Sequence, residues 1–172
     1  MTEISNGRSY AVDLDDSCLL WLEEKVKALN CADRIKVIHA SAFDENLFAE
    51  KFDIVLAEGL LNVLGFETGL PLLIKHLKDS GYLIIHDEFK SDGEKRALFK
   101  KCNLELLNAF VLDENVWWDD YYRCLEKSIS EESEGSFEWE INEIIQFKKN
   151  PEIFRSIYYV LRNDKSNPQG RG

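Results

Sequence analysis

The sequence has no long apolar run. Stretches such as 52–57 and 82–85 fall far short of the ~20 residues needed to cross a bilayer, so no membrane span is expected. Near Met1 there is neither the basic end nor the apolar core of a secretory signal. Basic residues are in deficit, 21 against 32 acidic, for a net charge of −11. No basic patch offsets the repulsion a phosphate backbone would meet, and nucleic acid is not expected as a ligand. Histidine is scarce: the three present, His39, His76 and His86, lack an H-x-x-x-H spacing or a cysteine partner, which argues against a metal site. The four cysteines, Cys18, Cys31, Cys102 and Cys124, are widely spaced in strongly patterned segments. They read as reduced, mostly structural thiols of a cytoplasmic protein.

What is present is the composition of a packed globule, 45% hydrophobic and 12% aromatic over 172 residues. Disorder and collagen-like repeats are excluded. The length suits one domain, and a chain of this size buries about 68–70% of its unfolded surface without a disulfide or metal staple.

Residues 8–14 (RSYAVDL) form a short apolar run ending in acids. Segment 16–30 follows with Leu19, Leu22, Val26 and Leu29 on one helical face, Asp16 or Ser17 placed as cap, and Glu23 four residues before Lys27. Segments 35–39 (IKVIH) and 52–57 (FDIVLA) read as strands joined by a loop at 40–51. This alternation predicts an α/β fold with a parallel sheet. A helix is expected over 67–78, with Leu70, Leu73, Ile74 and Leu77 inward and Pro71 in its first turn. Gly81 then opens a strand at 82–86, and Ser91 with Glu94 has the spacing of a capping box for a helix ending near Cys102. Segments 104–112 and 156–162 (SIYYVLR) are strand-like; between them helices are expected at 116–129 and 137–149, separated by an acidic linker at 130–135. The polar tail 163–172 is expected to fray, and no internal repeat is visible.

Ligands of doubly wound sheets bind outside the carboxyl ends of the strands, which here carry Asp13, Ser41, Glu58 and Asp87. Asp13 ends a strand before a helix, where one carboxylate can hold both ribose hydroxyls. It equally suits a helix-capping acid in a cluster with Asp15 and Asp16. Segment 57–66 (AEGLLNVLGF) sets an acid and a glycine directly after a buried strand. Gly59 suits close approach of a ligand and Glu58 a hydrogen bond to it, while turn chemistry with a solvated Glu is the plainer reading.

The stretches YAVDLDDSCLLWLEEK, IKVIHASAF, FDIVLAEGLLNVLGFETGL, LKDSGYLIIHDEF and FVLDENVWWDDYY, in that order, resemble successive motifs of class I S-adenosylmethionine-dependent methyltransferases. The likeness is to the small-molecule enzymes akin to ubiquinone and menaquinone methyltransferases, and it extends over 10–162. The string E-G…N-x-x-G-F-E at 58–67 is its most specific part. The resemblance implies a Rossmann-like, mostly parallel sheet, with 104–112 and 156–162 as a C-terminal antiparallel hairpin and 115–150 as a helical lid. It makes S-adenosylmethionine the cofactor and a small molecule the methyl acceptor. Asp13 would hold the ribose, Leu14 would pack on the adenine, and Ser41 and Ala42 would flank the adenine edge. Many relatives have Asp where Ser41 stands. Glu58 and Gly59 would line the pocket near the methyl donor. Trp117, Trp118, Tyr121 and Tyr122 would enclose a flat or greasy acceptor, although Trp118, Tyr122, Leu125 and Ile129 also form a face able to dock their helix on the sheet. Glu58, His86 and Glu88 are the candidates for a general base, needed only if the acceptor arrives protonated.

The family's diagnostic glycine-rich loop, E/D-x-G-x-G-x-G, is missing from the sequence. Counting ~20 residues back from Asp13 places it before Met1, with Thr2 to Gly7 a remnant of the helix after it. The expectation is a chain that starts late or a domain that has lost half its cofactor site. A strand–loop–helix unit of roughly 30 residues would be missing. The lost strand would lie between those ending at Asp13 and Ala57, so those two are expected to pair directly or to have the gap filled by a second copy. A noncatalytic, methyltransferase-like binding domain is the alternative function. A nicotinamide-dependent oxidoreductase fits Asp13 but not the final antiparallel hairpin or the E-G loop.

Overall fold

The computed structural model describes residues 6–44, 46–131 and 137–164, in two compact units, 1–50 and 51–172. Asn163, expected to open the frayed tail 163–172, is instead the buried last residue of a strand; the tail beyond 164, most of the linker at 130–135 and most of the expected helix remnant at 2–7 lie outside the described residues.

The first unit is a β–α–β crossover, β1 (Ser9–Asp13), α1 (Asp16–Ala28) and β2 (Ile35–His39), with the strands parallel and Asp13 opposite His39. The cap of α1 is neither Asp16 nor Ser17 but Asp15, whose Oδ1 accepts from the backbone N–H groups of Ser17 (2.8 Å) and Cys18 (3.2 Å). The strand persists to Asp13, so Asp15 becomes the half-helical residue whose side chain reaches the free N–H groups. Leu19 and Val26 are buried as expected, but Leu29 is exposed: the helix ends at Ala28, and Asn30 turns the chain away in a left-handed conformation (φ 51°).

The second unit holds a four-stranded sheet in the order β3-β4-β6-β5. β3 (Phe52–Glu58) runs parallel to β4 (Leu77–Glu88), while β6 (Ser156–Asn163) is antiparallel to both β4 and β5 (Leu104–Val111). Alternation divides the sheet's faces. Leu83 and Ile85 of β4 with Ile157, Tyr159 and Leu161 of β6 pack into a core with Leu61, Leu70, Leu77 and Phe99. Burying each such side chain contributes about 1.5–3 kcal/mol. The helices covering that face are α2 (Leu60–Leu64), α3 (Phe66–Lys75) and α4 (Asp92–Lys101). Gly69 lets α2 and α3 meet, since a Cβ there would stand 2.6 Å from Leu61 Cδ2.

Several local expectations are corrected. Direct pairing of the strands ending at Asp13 and Ala57 does not occur: β1 bonds β2 and β3 bonds β4, in separate sheets. Helix α3 starts earlier and stops three residues sooner than expected, because Leu77 already pairs with Phe52 as strand; this leaves Pro71 inside the helix rather than in its first turn. Ser91 forms no capping box. It sits at φ 59° with no side-chain cap bond, and its carbonyl takes the Glu94 N–H instead.

Between β5 and β6 lie α5 (Glu114–Trp117), a π-helical turn (Trp118–Tyr122), α6 (Arg123–Glu131), α7 (Glu138–Lys149) and a short 3-10 turn (Pro151–Phe154). Trp118, Tyr122, Leu125 and Ile129 do not dock on the sheet. They gather around Ile144, Phe147 and Phe154 as a small core of the insertion itself, because α7 supplies a complementary apolar face. The four cysteines are free; Cys31 is buried and Cys102 half-buried, but Cys18 and Cys124 are exposed. Among the described residues no helix is long and apolar enough to cross a membrane.

Candidate functional site

In the first unit the residues of interest lie at the carboxyl ends of β1 and β2. Asp13 is exposed, and its Oδ1 accepts from the N–H groups of Leu14 (2.7 Å) and Asp15 (3.0 Å). Those bonds fix the carboxylate at the turn and leave Oδ2 without a hydrogen bond among the described residues, so helix capping falls to Asp15 and not to Asp13. Hydrogen bonds from the Ser17 side chain and then from the Cys18 and Ser17 N–H groups hold the Asp15 carboxyl below its ordinary range. Leu14, next to the Asp13 carboxylate, is 63% exposed. His39 ties the two strand ends together, its Nε2 3.1 Å from the Leu14 carbonyl and its Nδ1 3.2 Å from Asp16. Ser41 Oγ accepts from Phe43 N–H (3.1 Å) in a local turn, and Ala42 beside it is half-buried.

In the second unit strand register brings together residues that lie far apart in sequence. Glu58, His86, Tyr158 and Phe110 form one row across β3, β4, β6 and β5. The Tyr158 hydroxyl donates to Glu58 Oε1 (3.2 Å), and the Tyr158 ring stacks on His86 (4.3 Å between centroids, 7° between planes) and on Phe110 (5.2 Å, 18°). Trp117 stacks on His86 at 6.0 Å and donates from Nε1 to Ser156 Oγ (3.2 Å), which also lies 2.9 Å from His86 Nε2. Burial lowers the proton affinity of His86 and outweighs the opposing pull of Glu58 and Asp87, so the ring is held toward neutrality. Burial, followed by the Glu58 carboxylate, raises the Tyr158 phenol above its ordinary value, and that phenol keeps its proton.

Gly59 adopts φ 61° at the start of α2, a left-handed conformation that favours glycine, and its N–H donates to the His86 carbonyl (3.0 Å). A Cβ there would meet nothing within 4 Å. The turn alone therefore accounts for the glycine.

Asp87 alternates away from His86 into the opposite face, where it is buried. Its Oδ1 accepts from Lys95 Nζ (3.0 Å) and from Glu88 N–H (2.8 Å), while Oδ2 is buried without a partner. Lys95 also donates to the Glu88 carbonyl and lies over the Phe66 ring (4.8 Å), so α4 is pinned to the end of β4. Glu88 is exposed.

Of the four insertion aromatics only Trp117 is brought to His86. Tyr121 is 43% exposed beside it, Trp118 stacks on Phe147, and Tyr122 is buried with its hydroxyl donating to Glu143 Oε1 (3.1 Å). Sequence reasoning passed over Ser156 and Tyr158. The alternation of SIYYVLR put both on the face opposite Ile157 and Tyr159, but nothing local pairs them with Glu88 and His86.

No protein-family model matches the sequence, and no curated protein matches it significantly. Solved structures do match. The chain is similar to an S-adenosylmethionine-dependent methyltransferase from Thiobacillus denitrificans, in complex with S-adenosyl-L-homocysteine, with TM-score 0.74 and 16% identity over 93% of this chain and 77% of that one. A Geobacter sulfurreducens methyltransferase, also in complex with S-adenosyl-L-homocysteine, gives 0.68 at 14% identity over 90% and 74%. The cyclase SpnF gives 0.77 at 8% over 94% and 68%. The chain has the class I methyltransferase fold, a Rossmann-like α/β architecture. Identities this low establish the fold, and the cyclase is a reminder that one fold serves several chemistries.

Proposed function

We propose that residues 1–172 are a single methyltransferase-like domain that binds S-adenosylmethionine and methylates a small molecule. The observation that carries this is Asp13: an exposed carboxylate at a strand's carboxyl end, one oxygen anchored by two backbone N–H groups and the other open to a ribose hydroxyl. The exposed Leu14 fits an adenine face, and Ser41 with Ala42 the adenine edge. The cofactor supplies an activated methyl group on a sulfonium, so the protein's work is alignment and exclusion of water. For an acceptor that arrives protonated, Glu58 or Glu88 takes the proton. Trp117 and Tyr121 offer the acceptor flat apolar surface.

The sequence contains no glycine-rich string E/D-x-G-x-G-x-G, which favours a second reading, a noncatalytic domain of the same fold. Saturation-transfer NMR with S-adenosylhomocysteine separates the two. Contact that vanishes in Asp13→Ala supports the cofactor site, and absence of contact at high ligand concentration supports the binding domain. A second copy of the chain is assigned as a partner, and sedimentation equilibrium showing only monomer refutes that assignment.

A further inference from the structure

We propose that Ser156 holds His86 as the Nδ1–H tautomer, so that the imidazole meets a ligand as a hydrogen-bond donor, for a carbonyl or carboxylate oxygen, and not as a base. Ser156 is 3% exposed, and among the described residues its Oγ has two partners, Trp117 Nε1 (3.2 Å) and His86 Nε2 (2.9 Å). An indole N–H only donates, so Oγ accepts from Trp117. The hydroxyl proton then has one acceptor in reach, His86 Nε2. Were Nε2 itself protonated, two donors would face Oγ and the buried hydroxyl proton would be left unsatisfied, which biases the tautomer ratio about tenfold or more. With Nε2 occupied, the remaining ring proton belongs to Nδ1.

Nδ1 has no hydrogen-bond partner among the described residues, although Tyr158 and Trp117 both stack on the ring. His86 is half-buried and its Nδ1–H is not sealed from solvent, so that N–H faces out beside the stacked rings without a mate among the described residues. A ligand oxygen lying among those rings would satisfy it. Ser156 is thus a positioning residue: it touches no ligand but decides which ring nitrogen can. This assignment rests on hydrogen bonds alone and stands whether or not the domain transfers methyl groups.

The test is long-range 15N–1H NMR on the full chain with labelled histidine, above pH 7, with His86 assigned from the signal lost in His86→Asn. The Nδ1–H pattern is expected for His86, and an Nε2–H or doubly protonated ring overturns the proposal. In Ser156→Ala the ratio is expected to move toward Nε2–H by about tenfold, the bias of one unsatisfied buried proton; a folded variant with an unchanged ratio overturns it. Sodium benzoate serves as carboxylate probe. Its titration is expected to move the His86 Nδ1 resonance more than Nε2, and the donor role fails if Nε2 moves alone or if neither moves up to the solubility limit.

Discussion

The hydroxyl of Tyr158 donates to Glu58 across 3.2 Å, although 100 residues separate the two in sequence. They meet because β4 lies between β3 and β6, and His86 stands between them in the row. Glu58 is exposed, so water replaces the lost partner in Tyr158→Phe, while the stacking on His86 and Phe110 survives. The expected loss on urea unfolding is about 0.5–1.5 kcal/mol. A loss well above that range contradicts the placement of the pair at the solvent boundary.

Lys95 and Asp87 form a buried pair, their side chains 9% and 1% exposed. Lys95→Met leaves a buried carboxylate that already has one unpartnered oxygen, and it should cost about 3–5 kcal/mol. Asp87→Asn added to Lys95→Met removes the uncompensated charge and should recover much of that loss. A double variant no more stable than Lys95→Met alone contradicts this account.

Gly59 separates backbone demand from ligand demand. Gly59→Ala places a Cβ in open space but at φ 61°, so its cost is conformational strain of about 1–2 kcal/mol. Gly59→Asn, which tolerates that conformation better, should recover part of it. If both variants fold but lose S-adenosylhomocysteine contact by NMR, Gly59 also serves the ligand.

Acid sensitivity should carry a histidine signature. Burial depresses the His86 value below the 6.5 of an unfolded chain, so the unfolded state takes up its proton first as pH falls. The stabilisation is full above pH 6.5 and is lost progressively below it, toward the depressed folded value. His76, also depressed by burial, adds to the same window. Urea midpoints of His86→Asn between pH 7 and 5 should fall less steeply than those of the unsubstituted chain, and parallel slopes refute this.

Affinity for the cofactor should be weak. Asp13 and Leu14 contact only its nucleoside end in the proposed arrangement, and the sequence offers no glycine-rich loop for close backbone approach. Calorimetry giving low-micromolar binding of S-adenosylmethionine by the 172-residue chain contradicts this.

Local periodicity made most elements legible. The period-2 patterns of 82–86 and 156–162 and the helical stripe of α1 depend on neighbours in sequence, and those elements are found, although β4 begins at Leu77, ahead of Gly81 and five residues before the expected start. End residues were less legible. Capping by Asp15 and the early stop of α3 depend on where a strand lets go or begins, which is settled by pairing with Ile35–His39 and with Phe52. Spacing sets Trp118 and Tyr122 with Leu125 and Ile129 on one face, but what receives that face is not legible locally: it is α7 and not the sheet.

By itself the sequence determined the alternation of strand and helix, the acid at the end of β1 and the residues of β4 and β6 that turn inward. These follow from side-chain chemistry at fixed spacing along the chain. The tertiary structure decided which strands became neighbours and in what register. A shift of one residue between β4 and β6 would send Tyr158 and Ser156 to the other face, away from His86. That register follows from burying Leu83, Ile85, Ile157 and Tyr159 together, and the contacts of His86 with Ser156 and Tyr158 are its consequence.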